Sequence, residues 1–104
     1  MTASSPRKSG NEPLRAAFRI LHALGHPLRL QIIEFIARNQ SSCVNQIYAE
    51  LNIEQSVASQ HLRILRQADL VNAKRNGRFV FYHLNLDKIA CAAEVAEILS
   101  KLPQ

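Results

Sequence analysis

The stretch Gln55 to Leu84, QSVASQHLRILRQADLVNAKRNGRFVFYHL, runs a segment of helical apolar spacing directly into two short strand-like runs divided by Asn76-Gly77. Few small folds accommodate that succession. At about 100° per residue, Gln55, Ser56, Ser59, Gln60, Arg63 and Arg66 fall on one side of the helix, and Val57, Ala58, His61, Leu62 and Leu65 on the other. The apolar side has to be buried, which leaves the polar side to face solvent or a partner. Asn-Gly supplies the positive φ angles of a two-residue primed turn, so Val71 to Arg75 and Phe79 to Leu84 are predicted to form a hairpin around it. In the second strand Val80, Tyr82 and Leu84 should face inward, with Phe79, Phe81 and His83 on the opposite face.

The rest of the chain supplies helices to close a core around this unit. Residues 1–10, MTASSPRKSG, hold too little apolar surface to fold and are expected to form a flexible N-terminal arm, in which Arg7 and Lys8 are solvated. Residues 11–104 are expected to make one domain. Asn11, Glu12 and Pro13 resemble a helix start; Leu14, Ala17, Phe18, Leu21 and Leu24 form an apolar stripe, and Gly25 ends it. His26-Pro27 opens a second helix with Leu28, Ile32, Ile33, Phe35 and Ile36 on a wide apolar surface. A third, from about Cys43 to Leu51, buries Val44, Ile47, Tyr48 and Leu51. Asn52-Ile53-Glu54 then leaves only a tight turn before the helix at Gln55, the spacing of a helix-turn-helix. A last helix begins near Asn85 or Asp87 and carries Ile89, Ala92, Ala93, Val95, Ala96, Ile98 and Leu99.

The predicted fold is therefore mainly α: a winged helix-turn-helix of five helices with a two-stranded β-hairpin wing between the fourth and fifth. At 104 residues and 47% hydrophobic content the core is modest, and a small domain gains from a partner subunit. Two apolar terminal helices exceed what such a core needs. Leu14, Phe18, Leu21, Ile89, Ala93 and Ala96 are accordingly expected to line a homodimer interface.

Charge location narrows the function. The formal charge is +5 with a pI near 9.8, and a basic balance favours polyanionic partners. Between Gln55 and Leu84 the cations Arg63, Arg66, Lys74, Arg75 and Arg78 face the single acid Asp69, whereas the last helix mixes Asp87, Glu94 and Glu97 with Lys88 and Lys101. That distribution selects double-stranded DNA over an anionic membrane. Gln55, Ser56, Ser59 and Gln60, at the helix start, have the reach and chemistry to contact base edges; Arg63 lies toward the flanking backbone, and Lys74, Arg75 and Arg78 make a cationic wing. No apolar run approaches the roughly 20 residues of a membrane span, and the N-terminus lacks a secretory hydrophobic segment, so a cytoplasmic location is expected. Without a phosphate loop, paired carboxylates or a nucleophile elbow, neither an enzyme nor a cofactor is expected. A docking module that touches only protein is the competing class, but it would expose apolar anchors where this helix is polar.

Three ordered segments carry a resemblance. Ala23-Leu24-Gly25-His26-Pro27-Leu28-Arg29-Leu30 is similar to an A-L-x-x-P-x-R-L pattern, Ser56 to Leu65 to S-x-x-S-x-H-L-x-x-L, and Gly77 to Tyr82 to a wing. Together they resemble the arsenic-repressor-like (ArsR/SmtB) bacterial regulators over nearly the whole chain beyond residue 11. The resemblance implies a homodimeric repressor on an inverted-repeat operator, often released by metal or thiol chemistry, with Gln55, Ser56, Ser59, Gln60 and the wing's Arg78 as DNA contacts.

The chain departs from that pattern in its sensors. Asp69 stands where the family commonly has glycine in a left-handed position. The family's thiolate site resembles C-V-C at the third helix, but here the residues are Cys43-Val44-Asn45. For its last-helix metal site, aligning Asp87 places Ile89, Ser100 and Pro103 at the remaining ligand positions. A redox branch pairs a second-helix cysteine with a late one; Glu34 occupies the first of these places. No metal site is expected and the inducer is unassigned. Cys43 and Cys91 are a candidate thiol switch, with Cys43 near a helix start the more reactive and Cys91 a packed side chain among alanines. His22 and His26 are expected to cap or pack, and His61 to pack or hydrogen-bond.

Overall fold

The computed structural model describes residues 15–103, in the order α1 (residues 15–24), α2 (Pro27–Asn39), β1 (Ser42–Cys43), α3 (Val44–Leu51), α4 (Gln55–Gln67), β2 (Val71–Asn76), β3 (Phe79–Leu84) and α5 (Leu86–Ser100). The arm over residues 1–10, the helix start at Asn11-Glu12-Pro13 and Leu14 lie outside the described residues. Gly25 closes α1 by donating its N–H to the His22 carbonyl at 3.2 Å. His26 then caps α2, its Nδ1 accepting the Leu28 N–H at 3.1 Å, and Pro27 occupies the first turn, where a missing N–H costs little.

α2 is the central helix. Ile32 and Ile36 are fully buried and Phe35 nearly so; Ile47 of α3, Ala58, Leu62 and Leu65 of α4, and Leu70 and Val71 beyond it complete one core. α1 adds Ile20 and Ala23, which the expected stripe did not contain, while Phe18 stays 69% exposed. Apolar residues nearly encircle α1, so periodicity alone could not say which side meets the core. The result is a second apolar face, carrying Phe18, that is left outward.

The sheet differs from a simple hairpin in two respects. It has a third strand, β1, antiparallel to β3 through Ser42↔Tyr82 and Cys43↔Phe81, giving the order β1-β3-β2. Two residues are too few to show strand periodicity in sequence. The wing turn is also displaced by one residue from the expected Asn76-Gly77: Asn76 pairs with Phe79, leaving Gly77 and Arg78 as the central residues, with Gly77 at φ 67°. The expected turn would have set Arg75 directly against Arg78, an unfavourable like-charge pair; the observed register sets Arg75 against Val80 and joins Val71 to Leu84.

Asp69 does take the left-handed conformation, at φ 62°, as does Asn52 at φ 56° in the turn before α4. Asn85 caps α5 through its side chain. Beyond Ile89 and the buried Ala92, α5 runs out from the core, and Leu86, Ile98, Leu99 and Leu102 are exposed. A radius of gyration of 16.0 Å, against about 13 Å for a compact chain of 100 residues, reflects that extension.

Candidate nucleic-acid interface

α3 and α4 meet through a turn only three residues long. Asn52 ends α3 in the left-handed conformation, Ile53 donates to the Tyr48 carbonyl at 3.0 Å, and the half-buried Ile53 anchors the turn. α4 starts at Gln55 with Glu54 as its cap residue, but the Glu54 side chain makes no capping bond. The first N–H groups of α4 consequently remain available to an outside acceptor such as a phosphate oxygen. Ala58, Leu62 and Leu65 bury the inner face, while Gln55, Ser56, Ser59, Gln60, Arg63 and Arg66 are all exposed.

Besides this apolar packing, a buried arginine ties α4 to the central helix. Arg29 lies on the core face of α2, only 7% exposed. Its Nε donates to the Ala23 carbonyl, Nη2 donates to the His22 carbonyl at 3.1 Å, and Nη1 donates to His61 Nδ1 at 3.1 Å. Because guanidinium only donates, His61 must accept at Nδ1 and carry its proton on Nε2. One side chain thus ties the end of α1 and the middle of α4 to α2. The His26 ring packs on His61 with centroids 4.6 Å apart. Sequence reasoning noted Arg29 only within a family pattern and missed this positioning role. The available signal was its place at i−3 and i−7 from the buried Ile32 and Ile36, where a charge needs partners.

This contact makes a pH prediction. Burial, then the nearby His26 and Arg29 charges, holds the His61 pKa below its ordinary value. The unfolded chain therefore takes up the His61 proton first on acidification, so this contribution is fully present above about pH 6.5 and is lost as pH falls toward the folded pKa. Melting temperatures between about pH 7.5 and 5 should fall more steeply with acid for the wild type than for His61→Gln. Equal slopes would remove His61 as the cause.

The wing lies beyond α4. Lys74, Arg75 and Arg78 are exposed, and Arg78 occupies the turn itself. Among the described residues the ion pair formed is Lys101 with Glu97 at 3.6 Å on α5, so none of the α4 or wing cations is paired with a carboxylate. The described residues include no group of three His, Cys, Asp or Glu able to hold a metal, and no helix long and apolar enough to cross a membrane. The expected ranking of the thiols is reversed in accessibility: Cys43 is buried and Cys91 exposed. Pairing of β1 with β3 covers Cys43, and on α5 it is Ala92 that turns to the core, which directs its neighbour outward.

The expected interface residues divide between the terminal helices. Phe18, Ala93 and Ala96 are exposed, Leu21 and Ile89 half-buried, and Leu14 lies outside the described residues.

Comparison with known proteins agrees with this architecture. Residues 26–73, from the α2 cap to β2, match the bacterial regulatory protein, arsR family, model. An uncharacterized HTH-type transcriptional regulator of Methanocaldococcus jannaschii is 35% identical over 88% of this chain and 99% of its own length. The HTH-type transcriptional repressor SmtB of Mycobacterium tuberculosis is 36% identical over 88% of this chain and 73% of its own. In three dimensions, the homodimeric winged helix-turn-helix DNA-binding domain of a protein from Mycobacterium bovis described as a possible ArsR-family transcriptional regulator superimposes with a TM-score of 0.74 at 25% identity, covering 90% of this chain and 87% of that one. With its winged helix-turn-helix architecture and these relatives, the chain belongs to the arsR family of bacterial transcriptional regulators.

Proposed function

We propose that the protein is a homodimeric repressor that places α4 of each subunit in successive major grooves of an inverted-repeat operator and leaves it in response to an inducer. The observation that carries this is the outward face of α4: amides and hydroxyls beside uncapped N–H groups, followed by arginines and a cationic wing with no carboxylate partner among the described residues. Gln55, Ser56, Ser59 and Gln60 read base edges; Arg63, Lys74, Arg75 and Arg78 hold the phosphate backbone. In this reading the protein acts in the cytoplasm, without catalysis or a cofactor. Half-sites would lie about 34–36 Å apart, one turn of DNA.

Binding titrations on matched and scrambled duplexes test the assignment. Gln60→Ala or Ser59→Ala should cost about 1–3 kcal/mol of discrimination per lost base pairing, whereas Arg78→Ala should weaken both duplexes alike. Equal losses from both kinds of substitution would defeat the division of roles. The second subunit is supported by the exposed Phe18, Ala93 and Ala96 of α1 and α5, with the half-buried Leu21 and Ile89 beside them in the proposed interface. Sedimentation of Ala93→Glu should shift toward monomer, since a buried unpaired carboxylate is costly; an unchanged dimer would place the interface elsewhere.

A further inference from the structure

A cavity of about 420 Å³ opens on the flank of the wing, lined by Ser41, Lys74, Arg75, Asn76, Phe81 and His83. Its chemistry has two halves. Phe81 and His83 are half-buried and supply ring surface, with the Phe81 ring steadied edge-on by Phe79 at 6.4 Å. Lys74, directly across the strands from Phe81, and Arg75 supply positive charge, and Ser41 and Asn76 supply neutral hydrogen-bonding groups. No carboxylate lines the cavity, and neither cation is ion-paired among the described residues.

The geometry points to a binding site for a small aromatic anion, of the aryl carboxylate class, between the rings of β3 and the cations of β2. The cavity falls within the roughly 300–1,000 Å³ of small-molecule sites, which combine apolar lining with a few placed polar groups. A bare phosphate would use the cations and leave the rings wet; a neutral arene would use the rings and leave the cations without a counter-charge. A planar body with one anionic end satisfies both halves. Because Lys74 and Arg75 belong to the wing, occupancy neutralises charge that DNA would otherwise meet. That consequence, unlike the site itself, rests on the repressor reading.

Benzoate is the probe, titrated into the full-length, DNA-free protein while the Phe81 and His83 ring resonances are followed by NMR. The expected result is a saturable shift with a dissociation constant of about 1 mM or tighter. Acetate, which lacks the ring, and benzyl alcohol, which lacks the charge, should bind at least about tenfold more weakly. Lys74→Gln, an exposed substitution that leaves the fold intact, should weaken benzoate by a similar factor, and Phe81→Leu should do so through the ring side. Absence of saturation, equal binding by benzyl alcohol or acetate, or insensitivity to Lys74→Gln overturns the proposal. Inorganic phosphate binding as well as benzoate also overturns it, marking the cavity as a backbone-phosphate contact. The titration contains no DNA, so its failure leaves the repressor reading standing. Failure of the duplex titrations would in turn leave a benzoate site standing.

Discussion

Replacing Arg29 with methionine is expected to destabilise the fold by about 3 kcal/mol, even though methionine fills much of the same volume. The guanidinium serves three acceptors at once, the carbonyls of Ala23 and His22 and the ring of His61. Hydrogen bonds from a charged donor contribute about 1.5–3 kcal/mol each, and a buried carbonyl left without a donor bears a desolvation cost. The sum is smaller than three such bonds because the His22 and His61 contacts are only partly buried, so water replaces some of what is lost. For a domain of this size the melting temperature should fall by roughly 10–20 °C. Arg29→Lys should recover little, since one ammonium cannot reproduce a planar fork aimed in three directions. Urea denaturation of both variants checks this, and wild-type stability in Arg29→Met would show that the guanidinium is not what fastens α4. If α4 reads the operator as proposed, operator affinity should decline in the same variants.

Operator affinity should also collapse with salt. Each subunit presents Arg63, Arg66, Lys74, Arg75 and Arg78 without carboxylate partners among the described residues, and a dimer doubles that set. If most of them displace counterions from phosphates, the contacts number in the range where affinity falls by about 10³–10⁵ between 50 and 200 mM salt. A logarithmic plot of the binding constant against salt concentration should be linear, and Arg78→Ala should make it shallower by about one unit per subunit. Nearly flat dependence would mean that these cations do not meet phosphate. The protein would then fit a docking role better than a DNA-reading one.

The elements near the site were legible because each has a local cause. α4 could be placed from its two-sided pattern, its polar residues are the exposed ones, and Asp69 sits in the left-handed conformation that the family resemblance implied, while Asn52 adopts the same conformation within the tight turn expected before α4. The turn of the wing was misplaced by one residue because Asn-Gly is a strong local signal, while the register answers to cross-strand pairing such as Val71 with Leu84. β1 was hidden because a two-residue strand exists only through its partner. The thiols were misjudged for a related cause: a helix N-terminus says where Cys43 is in the chain, but β3 decides whether it is covered.

Local periodicity, turn chemistry and the placement of charge along the chain were enough to determine the helix-turn-helix, the basic wing and the polar face of α4, since each depends on residues within a few turns of one another. Only tertiary packing decided that Arg29 joins three segments, that Phe18 faces outward while Ile20 goes in, and that ring and cation surfaces meet on the flank of the wing. Those outcomes rest on contacts between residues far apart in sequence, whose direction is set when helices and strands compete for the same small core.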